Sequence, residues 1–478
     1  METHKQRESV WTIMDGDSRA GTLIANDKIR KGIEPDCWKQ IANIGKIPGV
    51  CDVTINPDTH KGYGVPIGSV ISSEDMLYMG CVGYDIKCSM SYLMTDLPSS
   101  EVKALKEGRA IMDAMMARVS IGKGIPGKLF SKKDSDKLLD FVEHGFSEET
   151  CIVDDLLAAS KEWIPFCEDA SHNNGEIIKN RIDYHTQSEH GAEFLKSLNG
   201  FGSLGSGNHF SEVGACAVRE GKMELAEKWG LKDGCLGVLT HCGSRKLGHM
   251  LASIWFNGMK AHFNRWKIPF PGNDRELVYA PVRSEQGQTY LADLAIAGNF
   301  ATVNHMLINQ LYVQALTELY PGIKCRMVYM ISHNFVRREY DGKTSRYVHR
   351  KGATRAHPAG HHSLRGTPFE STGHPILLPG HALSGSSIMV AKSGASVSQY
   401  SINHGAGRVL GRKDADRKLD QGTVDQEFRD AQVITNHRKF PKDEAKDAYK
   451  DYDQVMDSVT SAGLAEEVAR LDARFLIK

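Results

Sequence analysis

The sequence predicts a globular protein that combines α-helices and β-strands. Its 478 residues are 41% hydrophobic and have a mean hydropathy of −0.36, a balance typical of globular enzymes. Lys plus Arg and Asp plus Glu both number 59, which excludes a strongly basic scaffold and an acidic disordered tail. The length allows roughly two to four domains, but no internal repeat and no Pro/Gly/Ser linker divides the chain.

Local patterns predict individual elements in chain order. Residues 65–71 follow a glycine turn and are predicted to form a short strand. Ser99 or Ser100 is expected to cap a helix. Its apolar face would comprise Val102, Leu105, Met112, Met116 and Val119. Residues 120–185 show the weakest pattern and are predicted to be a divergent insertion. Residues 290–319 predict a long helix that is apolar over much of its surface.

The ends of the chain and its cysteines indicate a cytoplasmic protein. The tail, residues 451–478, is predicted to form two short helices that Gly463 separates. We find no stretch long and apolar enough to span a bilayer and no secretory signal at the N-terminus. The ten cysteines are scattered without a Cys-x-x-Cys pair, which indicates a reducing compartment rather than a disulfide framework.

Charge is uneven along the chain although it cancels overall. Residues 241–267 contain five Lys or Arg and no acid, and residues 337–365 contain eight against two acids. Such stretches fit either a bound polyanion or nucleotide, or a solvated basic face that acids elsewhere balance.

Two glycine-rich segments resemble nucleotide-binding motifs but depart from them. Residues 122–129 have P-loop spacing, yet Leu129 stands where the motif needs a Ser or Thr hydroxyl. Residues 405–411 have one residue too many before the third glycine of a dinucleotide fingerprint. Neither motif is therefore assigned.

Five scattered side chains are candidate metal ligands. Asp85 and Cys88 offer an oxygen and a sulfur three residues apart, and His209, His241 and His333 each lie in a run of small residues. Any one of them is more often structural than a ligand. Together they exceed what one tetrahedral site uses, which suggests two metals that share a bridging thiolate.

Two further segments could hold phosphate. Residues 378–382 and 404–408 contain glycines whose backbone N–H groups could cradle phosphate oxygens. His404 stands at the start of the second segment, where its imidazole could attack an α-phosphate and hold the nucleotidyl group. The alternative is a histidine that caps a helix beside a turn.

From about residue 40 onward, the chain resembles the RtcB-type RNA-splicing ligases. The resemblance lies in motifs that follow the order of the family: 56–64 (NPDTHKGYG), 82–88 (VGYDIKC), 205–212 (GSGNHFSE), 241–245 (HCGSR), 332–334 (SHN), 350–354 (RKGAT), 404–408 (HGAGR) and the tail from Tyr449 to Lys478. It is weak between residues 120 and 185.

The resemblance implies a fold and an activity. The fold would be one α+β domain over residues 1–478, with central β-sheets flanked by helices. The activity would be joining of RNA 3′-phosphate or 2′,3′-cyclic phosphate ends to 5′-hydroxyl ends, with GTP and two Mn²⁺ ions per chain. It would serve tRNA splicing or RNA repair, in a monomer without a membrane association, with an archease-type activator as a further partner.

The resemblance also implies roles for individual residues. Asp85, Cys88 and His209 would hold one Mn²⁺, and Cys88, His241 and His333 the other. His404 would become guanylated, and Asp58 would orient its ring. The residues in contact with GTP would be Asn208, Glu212, Asn334, Pro379, Gly380, His381, Ala382, Ser386, Gly405, Ala406, Gly407, Tyr449 and Lys478. Arg245 would contact an RNA phosphate.

The chain departs from the family at several positions, which indicates a divergent member. Lys87 and Ser89 replace family glycines in the metal loop, His305 replaces an arginine of the long helix, and residues 379–383 differ from the family's Pro-Gly-Ser-Met-Gly. Two other functions therefore stay open: an RNA-end-binding protein without turnover, and a metal-dependent phosphoesterase that acts on cyclic phosphate ends. The retained His404 favours nucleotidyl transfer over hydrolysis.

Overall fold

Two large β-sheets form the framework of the protein, and helices flank them. The computed structural model describes residues 1–102, 105–172, 175–340 and 342–478. Within these residues the strands are β1 (Glu2–Arg7), β2 (Val10–Asp15), β3 (Ser18–Ile24), β4 (Val50–His60), β5 (Ile67–Ser73), β6 (Met76–Tyr78), β7 (Ser89–Pro98), β8 (Ser120–Ile121), β9 (Ser203–Gly205), β10 (Phe210–Val218), β11 (Cys235–Cys242), β12 (Tyr279–Pro281), β13 (Cys325–Ser332), β14 (Asn334–Tyr340), β15 (Ser345–Lys351), β16 (Ala353–Arg355), β17 (Pro375–Pro379), β18 (Ser386–Ala391), β19 (Ser401–Asn403), β20 (Ile434–Thr435) and β21 (Ala465–Ile477). The α-helices are α1 (Asp27–Lys31), α2 (Pro35–Ile44), α3 (Leu105–Arg118), α4 (Ser135–His144), α5 (Glu148–Val153), α6 (Asp155–Ala158), α7 (Glu176–Gln187), α8 (Gly191–Leu198), α9 (Met223–Trp229), α10 (Arg245–Trp266), α11 (Glu285–Leu319), α12 (Arg412–Lys418), α13 (Gln421–Asp430) and α14 (Tyr452–Ser461).

The two sheets are mixed but mainly antiparallel. One has seven strands in the order β1-β2-β3-β4-β5-β15-β14, and the other has eight, in the order β13-β7-β11-β10-β21-β18-β17 with β20 beside β21. The β3–β4 and β20–β21 pairs are parallel. Because both large sheets are mainly antiparallel and helices flank them, the predicted α+β class is confirmed, and the predicted strand at residues 65–71 corresponds to β5.

Helix α11 lies in the protein core. The Ser284 hydroxyl caps it by accepting a hydrogen bond from the Gly287 N–H at 3.1 Å. The helix packs against α3, α4, α7 and α10. Its length and composition would suffice for a membrane span, contrary to the expectation that no stretch would, but 94% of its most apolar window is buried inside the protein. The predicted long helix is therefore a core helix.

The prediction of two helices in the tail is wrong for its second half. Helix α14 ends at Ser461, but residues 465–477 form the long strand β21, which pairs with both β10 and β18. The register shifts near Val468 and again near Arg474. Each shift adds a residue to the strand, so the buried residues recur at spacings of three and four and imitate a helical pattern.

The predicted helix after Ser100 is confirmed as α3, but its start and its face differ. Ser99 lies in a short 3-10 turn that has no side-chain cap, and α3 begins at Leu105, whose side chain is 60% exposed. Met112 and Val119 are buried as expected.

Residues 120–185 contribute α4 to α6 and most of α7, all within the described residues, and their origin as an insertion stays a prediction.

Candidate metal and nucleotide site

Four of the five predicted metal ligands lie at one end of four neighbouring strands. His333 follows β13, Cys88 precedes β7, His241 lies near the end of β11, and His209 precedes β10. These strands are adjacent and antiparallel in that order. The end of one strand therefore meets the start of the next at the same sheet edge, which brings together residues far apart in sequence.

The five side chains form two groups that share Cys88. Its Sγ lies 3.1 Å from His241 Nε2 and 3.5 Å from His209 Nε2. His241 Nε2 is 3.3 Å from His333 Nε2, and His209 Nε2 is 2.9 Å from Asp85 Oδ2. In each group the candidate ligand atoms lie within 4.8 Å of one another. The structure thus brings together all five residues that the sequence singled out.

The electrostatics of this cluster suit cation binding. Burial and the neighbouring Asp85 raise the pKa of the Cys88 thiol well above its usual range, so a thiolate there needs a bound cation. Burial would raise the pKa of Asp85 itself, but the contact with His209 outweighs it and lowers the pKa to about 2. Burial also holds the pKa of His241 and His333 well below the usual range, which favours neutral imidazoles. Oxygen, sulfur and nitrogen donors together fit a transition-metal ion.

Hydrogen bonds from outside the cluster hold the Asp85–Cys88 loop in place. The Ser244 hydroxyl donates to Ile86 O at 2.5 Å, and the Lys87 N–H donates to Asn334 O at 2.7 Å. Lys87 has a φ of 50°, in the region that favours the glycine expected there. Its Nζ donates to the Thr302 hydroxyl and to Asp169 O, at 2.7 and 2.8 Å. The added side chain thus anchors the loop to α11 and to residue 169.

His404 is fixed by two acceptors at one ring nitrogen. Its Nδ1 lies 2.7 Å from Asp58 Oδ2 and 2.9 Å from Gly352 O. Because both neighbours accept hydrogen bonds, Nδ1 carries the proton and Nε2 keeps its lone pair. The ring of His404 lies 4.8 Å from that of His333, so the predicted nucleophile adjoins the cluster.

A cavity next to His404 includes most of the predicted nucleotide contacts. The predicted residues that line it are Asn208, Glu212, Pro379, Gly380, Ala382, His404, Gly405, Ala406, Gly407 and Tyr449. Glu212 is buried at its inner wall, where burial raises the pKa of its carboxyl to about 8. Its Oε2 accepts a hydrogen bond from Ser386 at 3.0 Å, and Oε1 has no partner among the described residues.

Four predicted nucleotide contacts lie outside the cavity lining. Ser386 supports Glu212, and Lys478 pairs with Glu444, which does line the cavity. The Asn334 amide donates to Asp85 O at 3.2 Å and accepts from Gly352 N at 2.8 Å, so it links the metal loop to the residue that holds His404. The His381 ring lies 6.1 Å from that of Tyr449. Their contact with a nucleotide stays a prediction.

Several side chains that line the cavity were not predicted from the sequence. They are His60, Phe210, Arg408, Glu444 and Leu476. His60 and Arg408 lie within recognised motifs, so a closer reading of those motifs could have included them. Leu476 lies in the tail that resembles the family and enters the cavity through the folding of β21. Glu444 enters it through the segment before α14 and lies outside every motif.

Several side chains of the two basic stretches pair with acids of the protein itself. In the second stretch, Arg350 pairs with Glu339 at 2.5 Å, and Arg355 pairs with Glu168. In the first, Lys260 pairs with Glu276 at 2.5 Å. These ion pairs therefore contribute to the fold. The Nη1 of Arg245 lies 3.3 Å from His209 Nδ1, and the contact of Arg245 with an RNA phosphate stays a prediction.

Comparisons with known proteins show which family the sequence of this chain is similar to. A family model described as "tRNA-splicing ligase RtcB" matches residues 40–478. The chain is 32% identical to the tRNA-splicing ligase RtcB of Thermococcus kodakarensis, over 96% of this chain and 95% of the relative. It is also 32% identical to the protein of that name from Archaeoglobus fulgidus, over 93% and 91% of the two chains. The RNA-splicing ligase RtcB of Mycobacterium tuberculosis is 32% identical, over 90% of this chain and 98% of its own length.

Proposed function

This chain belongs to the RtcB family of RNA-splicing ligases, and from that premise we propose that it is a GTP- and Mn²⁺-dependent RNA ligase with a guanylated His404. Its substrates would be RNA strands with a 3′-phosphate or 2′,3′-cyclic phosphate and strands with a 5′-hydroxyl, arising in tRNA splicing or RNA repair. The observation that carries the proposal is the fixed orientation of His404 in the cavity beside the metal cluster.

The orientation of His404 supports nucleophilic attack by its Nε2. Because Asp58 and the Gly352 carbonyl hold the proton at Nδ1, the Nε2 lone pair is available to attack the α-phosphorus of GTP. An N–P bond would form, the bond to the bridging oxygen would break, and pyrophosphate would leave with that electron pair. The ring would gain positive charge, which the buried Asp58 carboxylate would stabilise.

Glu212 supports guanine as the base. The unpartnered Oε1 is a buried acceptor, and burying such an atom costs about 1–3 kcal/mol. Guanine offers two N–H donors on its Watson–Crick edge, at N1 and N2, whereas adenine offers an acceptor at N1. A guanine seated here would donate to Oε1 and stabilise the ionised carboxylate, which burial alone disfavours; adenine would offer one donor at N6 beside an acceptor at N1, and so no pair of adjacent donors.

The five clustered donors would hold the metal ions. Asp85, Cys88 and His209 would bind one ion, and Cys88, His241 and His333 the other. When bound, two divalent cations supply charge neutralisation for the triphosphate and for the leaving pyrophosphate. The same donors also suit zinc, so the choice of manganese comes from the family rather than from the donor set.

The remaining steps transfer guanylate to the RNA. An oxygen of the RNA 3′-phosphate would attack the phosphorus on His404, forming an anhydride and breaking the N–P bond. The 5′-hydroxyl oxygen would then attack the RNA phosphorus, lose its proton, form the phosphodiester and release GMP.

The test is covalent labelling of the purified protein with α-labelled GTP and Mn²⁺. Wild type should retain label, and His404→Ala should not. His190→Ala, which changes a half-exposed histidine outside the site, is the matched control and should label like wild type. Absence of label from a folded wild-type protein that contains metal would contradict the proposal and would favour an RNA-end-binding protein.

Three further expectations complete the proposal. We place the protein in the cytoplasm, and all ten cysteines are free thiols. We also propose that it acts as a monomer and that an archease-type protein activates it. Sedimentation of the purified chain and labelling with and without added archease test these two points.

A further inference from the structure

A buried lysine holds the strand segment that carries Asp58, the residue that fixes the ring of His404. The side chain of Lys450 is buried, and its Nζ donates hydrogen bonds to Pro57 O at 3.1 Å and to Thr59 O. These two acceptors are the backbone carbonyls of the residues on either side of Asp58. Lys450, which lies just before α14, therefore holds the backbone at Asp58 from both sides although the two segments are far apart in the sequence.

The backbone of β4 needs such a partner at this point. Pairing between β4 and β5 passes directly from Ile55 to His60, so residues 56–59 lie opposite Gly68 alone. A bulge of this kind leaves backbone groups without a partner in the ladder, and buried carbonyls need a donor. Carbonyls two residues apart in a strand point in the same direction, so one ammonium group can bond to both. Lys450 thus takes the place that a neighbouring strand would fill.

The charge of Lys450 acts on Asp58 as well. Burial lowers the pKa of Lys450 to about 8, and the attraction of the nearby Asp58 carboxylate opposes this fall. The attraction is mutual, so the ammonium group stabilises the negative charge of a carboxylate that is fully buried. Lys450 therefore supports both the position and the charge of Asp58.

The backbone of Lys450 connects Asp58 to the nucleotide cavity. Its N–H donates to Gly407 O at 2.9 Å, and Gly407 lines the cavity next to His404. A Cβ added at Gly407 would lie 2.2 Å from Asp58 O, so this glycine packs directly on the backbone of Asp58. Tyr449, which precedes Lys450, lines the same cavity. One residue thus contacts both the strand of Asp58 and the glycine segment that follows His404.

We propose that Lys450 is a positioning residue for the guanylation of His404, an inference that rests on the proposed function. Lys450 keeps Asp58 in place, and Asp58 in turn keeps the proton on Nδ1 of His404 and leaves Nε2 free to attack. The Nζ of Lys450 bonds to carbonyls behind Asp58 and does not touch the reacting atoms. Its loss should therefore slow the attack and leave the binding of GTP and of metal unchanged.

The first test replaces Lys450 with methionine, which keeps the length of the side chain and removes the ammonium group. The matched control is Lys28→Met, which removes an exposed ion pair of 2.8 Å with Asp451, the residue after Lys450. Single-turnover labelling with α-labelled GTP, over a range of GTP concentrations, separates the rate of transfer from the affinity for GTP. Circular dichroism checks folding, and elemental analysis checks metal content.

Lys450→Met should slow transfer about 10- to 100-fold, as expected for the loss of charged hydrogen bonds, with GTP affinity within about twofold of wild type. Lys28→Met should behave like wild type. Weaker GTP binding at an unchanged transfer rate would overturn the proposal and would assign Lys450 to the nucleotide pocket. If Lys450→Met does not fold, Lys450→Gln, which keeps an amide donor, takes its place with the same criteria.

A double-mutant cycle tests whether Lys450 acts through Asp58. In an Asp58→Asn background, Lys450→Met should slow transfer by less than about threefold, since no carboxylate is left to position. Equal slowing in both backgrounds would overturn the proposal, because independent effects add in free energy and would assign the lysine to general stability.

A measurement without GTP separates this proposal from the proposed function. Proton NMR of histidine-labelled protein, with His404→Ala to assign the signal, reports the Nδ1 proton that lies between His404 and Asp58. Lys450→Met should shift this resonance upfield and speed its exchange with solvent, and Lys28→Met should not. An unchanged resonance in Lys450→Met would overturn the positioning role. Failure of the proposed function differs, because it shows as absence of label from the wild type whatever the resonance of His404 does.

Discussion

Replacing Asp58 with asparagine tests the orientation of His404 directly. Asp58 is fully buried, and its Oδ2 lies 2.7 Å from His404 Nδ1. The substitution keeps size and shape but removes the negative charge, and the new amide can donate to Nδ1 and move the ring proton to Nε2. A hydrogen bond to a charged partner contributes about 1.5–3 kcal/mol. Guanylation should therefore slow by about 10- to 150-fold.

The assay is a single-turnover measurement of label transfer from α-labelled GTP at saturating nucleotide. The Gly352 carbonyl, 2.9 Å from Nδ1, can still accept a hydrogen bond from Nδ1–H in the variant, so some activity should remain. The matched control is Asp52→Asn in the same strand, which removes only a partly exposed ion pair with Arg19. A guanylation rate within about twofold of wild type in Asp58→Asn would refute this reasoning, because a twofold effect is under 0.5 kcal/mol.

Three further outcomes follow from the geometry of the site. Because both candidate ligand groups contain Cys88, Cys88→Ala should lose both metal equivalents in elemental analysis, and retention of two equivalents would contradict the shared thiolate. The pKa of Glu212, about 8, lies above that of an exposed glutamate, so the folded state binds more protons between about pH 4.5 and 8. Its ionisation should lower the free energy of unfolding by up to about 1.4 kcal/mol per pH unit over that range, and Glu212→Gln should reduce this slope in urea titrations. Gly205→Ala should displace Arg245, whose Nη1 would lie 1.6 Å from the added Cβ, and weaken RNA binding more than Gly221→Ala, which has a similarly positive φ but nothing within 4 Å of the added Cβ; equal binding by the two variants would refute the steric argument.

The sequence predicted the residues of the candidate site more accurately than it predicted the type and the ends of each helix and strand. The five candidate ligands and His404 were predicted from residue type and spacing, and all lie close together in the structure. The long core helix followed from its continuous apolar composition. By contrast, the second half of the tail was predicted as helix but forms β21, in which two register shifts give the buried residues helical spacing. The partners that hold β21 in a sheet, β10 and β18, lie far away in the chain.

The sequence alone also did not show which charged side chains form ion pairs in the folded protein. Arg350 and Arg355 belong to a stretch that favoured a polyanion site, yet Glu339 and Glu168 neutralise them inside the protein. Lys123 belongs to a rejected P-loop, yet it lines a cavity with Lys196, Arg245 and Lys246. Ion pairing depends on which side chains meet after folding, and composition along the chain does not record this.

The sequence by itself determined the chemistry that is available: a thiol, a carboxylate and imidazoles for metal binding, and a histidine in a glycine-rich segment. Only the tertiary structure decided that these groups meet. Cys88, His209, His241 and His333 are separated by up to 245 positions along the chain and come together because antiparallel pairing places alternate strand starts and ends at one edge. Those hydrogen bonds join distant segments, so no local pattern of residues encodes the resulting distances.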